Sequence, residues 1–169
     1  MLVRSVAAIL DRDLQTLSRE VEAYPDRHQL WQTVPGMTNT GGTLVLHLAG
    51  NLRHYIGAKL GGTGYVRDRP AEFSRRDVSR RDLLEEIEIA RAEVAGTLAK
   101  LDDRSLPAEF PEIIADSRVD TQEYLTHLLT HFAYHLGQLD IHRRIVTGDR
   151  SSVGAVKPGE LSSVRPARS

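Results

Sequence analysis

Four stretches of this chain repeat apolar residues at steps of three and four, the period of a helix that buries one face, and no stretch gives a strong strand signal. From Leu2 to Tyr24 the series is Val3, Val6, Ala7, Leu10, Leu14, Leu17 and Val21, stopped by Pro25. A second series, Leu44, Leu48, Leu52, Tyr55 and Ile56, follows the turn-like Thr38-Asn39-Thr40-Gly41-Gly42 and ends at Gly61-Gly62. The third opens at Ser79, with Asp82 where a capping partner belongs, and runs through Leu83, Leu84, Ile87, Ala90, Val94, Leu98 and Leu101. The fourth and longest starts near Asp120 or Thr121 and carries Leu125, Leu128, Leu129, Phe132, Leu136, Leu139 and Ile145 up to Gly148. Four such segments predict an all-α four-helix bundle. Composition agrees: aromatic residues are 5%, while Leu, Ala, Val and Ile fill the apolar positions and Glu, Arg and Asp the polar ones.

At 169 residues the chain suits one domain with a sizeable core, expected over 1–148, followed by a polar C-terminal extension, 149–169, whose last few residues should be mobile. The connections Pro25 to Thr40, Gly61 to Val78 and Asp102 to Val119 exceed those of a simple up-and-down bundle. An extended run such as Gly61 to Val78 can reach about 55–60 Å, against about 25 Å for a 17-residue helix. Neighbouring helices can therefore be parallel, and length alone leaves the topology open.

Charge and cysteine narrow the function. With 22 basic and 23 acidic residues and a net charge of -1, the chain lacks the basic excess that binding a phosphate backbone requires, so nucleic acid is not an expected partner. All the basic residues but Lys59, Lys100 and Lys157 are arginines, and their alternation with acids, as in Arg67-Asp68-Arg69, reads as a solvated surface. No cysteine is present, which rules out a disulfide framework, a thiolate metal site and a protein thiol nucleophile. If thiol chemistry occurs, the thiol arrives with a ligand. Neither a signal-peptide core nor a run of about 20 apolar residues is evident, so no membrane association and a cytoplasmic location are expected.

Histidine spacing carries the chemistry. Of seven histidines, His127, His131, His135 and His142 fall on the last helix, the first three at intervals of four. Side chains at i and i+4 share a face, so two imidazoles can converge on one ion. His127 and His135 stand about 12 Å apart along the axis, too far for one ion with bonds of about 2.0–2.1 Å. One adjacent pair would need a ligand from another helix, and only the second segment offers candidates. His47 and His54 differ by about 10.5 Å in height, and His47, one turn above Asn51 beside the apolar stripe, is better placed. The same spacing also arises on a polar helix edge, so metal binding stands beside that plainer reading. His142, next to Arg143 and Arg144, reads as a partner of the helix dipole, and His28 as a surface residue.

The run His131-Phe132-Ala133-Tyr134-His135-Leu136-Gly137-Gln138 resembles the H-x-x-x-H-x-G-Q signature of the DinB/YfiT-like family of metalloenzymes, and His47-Leu48-Ala49-Gly50-Asn51-Leu52 resembles its first-histidine motif. Gly61-Gly62-Thr63, Arg67-Asp68-Arg69 and Glu72-Phe73 are similar to a branch of that family catalogued as a domain of unknown function. The resemblance implies a four-helix bundle of up-down-down-up type with a long overhand connection between helices two and three. It also implies a homodimer, and a divalent metal ion (zinc or nickel first, iron or manganese next) held by His47, His131 and His135. Characterised relatives join bacillithiol, mycothiol or glutathione to electrophiles.

Three imidazoles leave a metal position open for a thiol or for water, so the expected activity is thiol S-transfer to a small-molecule substrate, or hydrolysis. The alternative is a metal- or small-ligand-binding stress-response protein without catalysis. Gln138, one turn beyond His135, and Asn51 are candidates to orient a ligand or substrate, or are buried polar groups paired with backbone. Arg67 and Arg69 could recognise a carboxylate or phosphate of a thiol cofactor if their connection folds over the bundle; otherwise they sit on an exposed charged loop. Imidazoles must be neutral to bind, so metal affinity is expected to fall as pH drops through about 6.5.

Overall fold

A computed structural model describes residues 2–167, and it is helical. Helix α1 (Leu2–Glu22) buries Val3, Val6, Leu10, Leu14, Leu17 and Val21, the stripe read from the sequence. Thr40 caps α2 (Gly41–Leu52), its hydroxyl accepting from the Thr43 amide, and all of α2 is buried. The second helix does not continue as an α-helix to Gly61: Arg53–Leu60 is π-helical, with the Gly61 amide bonded back to the Ile56 carbonyl. A Cβ at Gly61 would lie 2.0 Å from Thr97 Oγ1, so glycine is what lets this wider segment close against the facing helix. The long connection that follows is not all loop, because Asp68 caps a short helix, α3 (Arg69–Ser74), that packs on α2. Ser79 caps α4 (Arg80–Leu98), Asp120 caps α5 (Thr121–Thr147), and Gly148 ends α5 at φ 72°. Among the described residues no strand forms, only two isolated bridges in the connection before α5.

Contacts fix the directions. Arg80, at the start of α4, donates to the Tyr24 carbonyl beyond the end of α1, while the Val3 amide donates to Asp103 beyond the end of α4, so α1 and α4 are antiparallel. Arg143 pairs with Glu20, the two late in α5 and α1, so those helices are parallel. Gly41 meets His142 and Tyr55 meets Tyr124, making α2 and α5 antiparallel. The bundle is up-down-down-up, with α1 and α2 each packed on both α4 and α5. The connection over Gly61 to Ser79 carries the chain back so that α2 and α4 lie parallel, as the loop length permits.

Two residues are placed differently from their sequence reading. Arg143 is not part of a solvated surface: it is fully buried, its Nε donating to Glu20 Oε2 at 2.5 Å and its Nη2 to Asp140 and the Ser151 carbonyl. His142 is likewise buried rather than a dipole partner at a helix end, because it receives the Tyr24 hydroxyl at Nδ1 (2.8 Å) and donates from Nε2 to the Gln32 carbonyl (2.8 Å). Backbone carbonyls of Arg150, Ser151 and Val153 accept from Arg144, Arg143 and Arg19, seating the start of the C-terminal extension on the bundle. The expectation of mobility at the very end concerns in part residues 168 and 169, which lie outside the described residues. His28 is exposed, as read. No helix of the described residues is long and apolar enough to cross a membrane.

Burial lowers the pKa of His142 below the ordinary imidazole value, against the hydrogen bond to Gln32. The unfolded chain therefore takes up this proton first. Stability is full above pH ~6.5 and is lost as pH falls through the lower folded-state value. Replacing His142 with Gln is expected to reduce the proton dependence of unfolding just below pH ~6.5, read from urea titrations across the mildly acid range. An unchanged slope would exclude His142 as a source.

Candidate metal centre

The antiparallel pairing of α2 and α5 brings His47 opposite His131 and His135. One ligand nitrogen from each of the three lies within 4.8 Å of the others, and His47 Nε2 stands 3.3 Å from His131 Nε2. Two ligands at about 2.0–2.1 Å from a tetrahedral ion are separated by about 3.3–3.4 Å, so this spacing fits one ion between them. The imidazoles are aimed by what holds their other nitrogens. Glu72 Oε2 accepts from His47 Nδ1 at 3.0 Å and Gln138 Oε1 accepts from His135 Nδ1 at 2.7 Å, which leaves Nε2 of each ring as the lone-pair side. His131 Nδ1 is buried without a partner.

Glu72 was not singled out from the sequence as a site residue. It comes from α3, is 5% exposed, and is gripped by Arg67 through Nε to Oε1 (2.6 Å) and Nη2 to Oε2 (2.8 Å). Burial alone would raise its pKa, but the bonds from His47 and Arg67 outweigh that and hold the carboxyl below its usual range. Gly50 makes room for it, since a Cβ there would lie 2.3 Å from Glu72 Oε1. The one local signal was the helix start Asp68-Arg69-Pro70, a cap followed by proline; a carboxylate 25 residues from its histidine has no spacing to read.

Arg67 is thus drawn inward by Glu72, whereas Arg69 is exposed and lies over the Phe73 ring at 5.1 Å. Both line an open cleft of about 440 Å³ with the three histidines, Asn51 and Tyr55. Asn51 is 7% exposed and its Oδ1 has no partner, so it is a buried acceptor at that cleft rather than a group satisfied by backbone. His127, exposed at the cleft, stacks on Tyr124 with its ring 6.0 Å from that of His131, outside the cluster. His54 points elsewhere and pairs with Glu112 at 3.0 Å. Tyr134 is 65% exposed.

Burial, and then the neighbouring His135 and His47, lowers His131 to about 4, and burial lowers His135 despite its bond to Gln138. That keeps the His131 lone pair available for a ligand in the mildly acid range. The donor set and the bracing of His47 and His135 fit a divalent ion. Replacing Glu72 with Ala is expected to weaken metal affinity about 10–100-fold, measured by chelator competition beside a thermal melt. Wild-type affinity in a folded Glu72→Ala protein would remove Glu72 from the site.

A family model described as Mycothiol-S-transferase matches residues 5–148. No curated protein matches the chain.

Proposed function

We propose that this chain, which belongs to the mycothiol-S-transferase family, is a divalent-metal-dependent enzyme that transfers a low-molecular-weight thiol to an electrophile. The observation that carries metal dependence is the braced trio His47, His131 and His135, with ligand nitrogens mutually within reach of one ion. A divalent ion held by three imidazoles lowers the pKa of a thiol that reaches it, so that the sulfur is ionised at neutral pH.

The chain's own residues do the rest. Glu72 keeps the proton of His47 on Nδ1 and Gln138 does the same for His135, which fixes tautomer and ring orientation before any ligand arrives. Asn51 offers a buried acceptor to an N–H or O–H of the thiol compound. Arg69, exposed at the rim, gives the cleft a cation suited to a carboxylate or phosphate, while the charge of Arg67 is balanced by Glu72. The thiol proton leaves to water at the open mouth, where His127 stands. With no cysteine in the chain, the cosubstrate supplies the only thiol.

The test is turnover by metal-loaded protein of thiol and electrophile pairs, with bacillithiol, mycothiol and glutathione compared. Activity is expected to vanish on chelation and in His47→Ala. Equal activity in wild type and His47→Ala would end the proposal.

A further inference from the structure

The π-helical segment after α2 aims its side chains in two directions. Tyr55 lines the metal cleft, while His54 Nε2 (3.0 Å) and Lys59 Nζ (2.8 Å) both donate to Glu112 Oε2. On an α-helix, residues five apart point about 140° from each other. The i→i+5 register of the π-helix returns them to one side, so that two cations of this segment meet one carboxylate. Burial would raise the pKa of Glu112, but the bonds from Lys59 and His54 outweigh that and hold the carboxyl below its usual range.

Glu112 belongs to the connection before α5, a hairpin fixed at its root and turned to the cleft at its tip. At the root Phe110 is buried, its amide donates to the Val119 carbonyl at 2.9 Å, and its ring lies 4.5 Å from that of Tyr124. At the tip Ile114 and Ser117 exchange both backbone hydrogen bonds, at 2.9 and 2.8 Å. Between them Ala115 and Asp116 sit at φ 46° and 62°, a left-handed turn that costs residues with a side chain. Such a turn keeps its shape where its surroundings fix it. It sets half-buried Ile114 in the wall of the cleft that holds His47, His131 and His135. Glu112, two residues before Ile114, ties that wall to the helices.

The geometry points to Ile114 as the residue that sets the width of the metal cleft, and so the size of thiol compound admitted, with Glu112 as the positioning residue that holds it there through His54 and Lys59. The word thiol rests on the proposed function; the cleft wall stands on geometry alone.

The experiment reads the wall without turnover, by labelling the full chain with diethyl pyrocarbonate after chelation. The reagent acylates a neutral imidazole, releasing ethanol and carbon dioxide, and mass spectrometry follows His131 against exposed His28. Glu112→Gln and Lys59→Met are each expected to speed labelling of His131 about fivefold, and the double variant by less than the product of the two. Ile114→Ala should speed it and Ile114→Trp slow it, a pair of opposite changes that loss of stability does not produce. In metal-loaded protein, Ile114→Trp should raise KM for glutathione about tenfold and leave that for 2-mercaptoethanol within about twofold. Labelling unchanged by all four substitutions, or a double variant equal to the product, overturns the wall and its tie. Equal KM changes for the two thiols overturn the size selection. If neither thiol is turned over while labelling follows Glu112 and Ile114 as expected, the transferase reading fails and the wall stands.

Discussion

Metal content in His47→Ala and His131→Ala is expected to drop from about one ion per chain to below about a tenth, measured by elemental analysis of protein purified without a metal column. Removing an imidazole takes away one of three protein ligands, a larger loss than the 10–100-fold typical of disturbing a group behind a ligand. His131 is the more telling position, since its Nδ1 has no hydrogen bond to lose and its replacement tests ligation alone. Turnover should fall with the metal. A free thiol of pKa ~8.5 is only a few per cent ionised at pH 7, so restoring full ionisation accounts for about 30-fold. Holding the sulfur in a fixed place adds to that, and a total loss of about 10²–10⁴-fold is expected. Metal retained at full occupancy in both variants would place the ion elsewhere in the molecule.

The second large effect lies far from the site. Glu20→Ala is expected to destabilise the fold by about 3–5 kcal/mol, because it takes away the fully buried carboxylate facing the Arg143 guanidinium and leaves only the partly exposed Asp140 and Asp149 near it. Burial raises the pKa of Glu20 in spite of the bond from Arg143, because the desolvation of its carboxylate is the larger effect. The pair is therefore not a large net source of stability. Replacing both members, as Glu20→Leu with Arg143→Met, should recover most of the loss by removing the charges together. Urea unfolding of the two proteins reads the difference; a cost below about 1 kcal/mol for Glu20→Ala would mean that water or Asp140 already neutralises Arg143.

The parts legible from sequence share one property, that their information is local. The helical stripes, the caps Thr40, Ser79 and Asp120, and the stop at Gly148 each depend on residues within about one turn. His131 and His135 belong to this class, and their common face follows from a spacing of four. His47 could be paired with them from its place beside the apolar stripe, one turn above Asn51, and from the resemblance.

What the tertiary structure alone decided spans long separations. Glu72 reaches back 25 residues to His47 because Asp68 and Pro70 start a helix that no apolar period announces. Glu20 and Arg143, 123 residues apart, meet because α1 and α5 run parallel, and the same arrangement seals His142 against Tyr24. The π-helical turn after Leu52 and the cleft beside the three histidines likewise depend on how α2 packs against α4 and α5. Periodicity tells which face of a helix is buried. Which residues from distant segments share that burial, and hence which charges and imidazoles are desolvated together, is set by packing directions that connections of this length leave free.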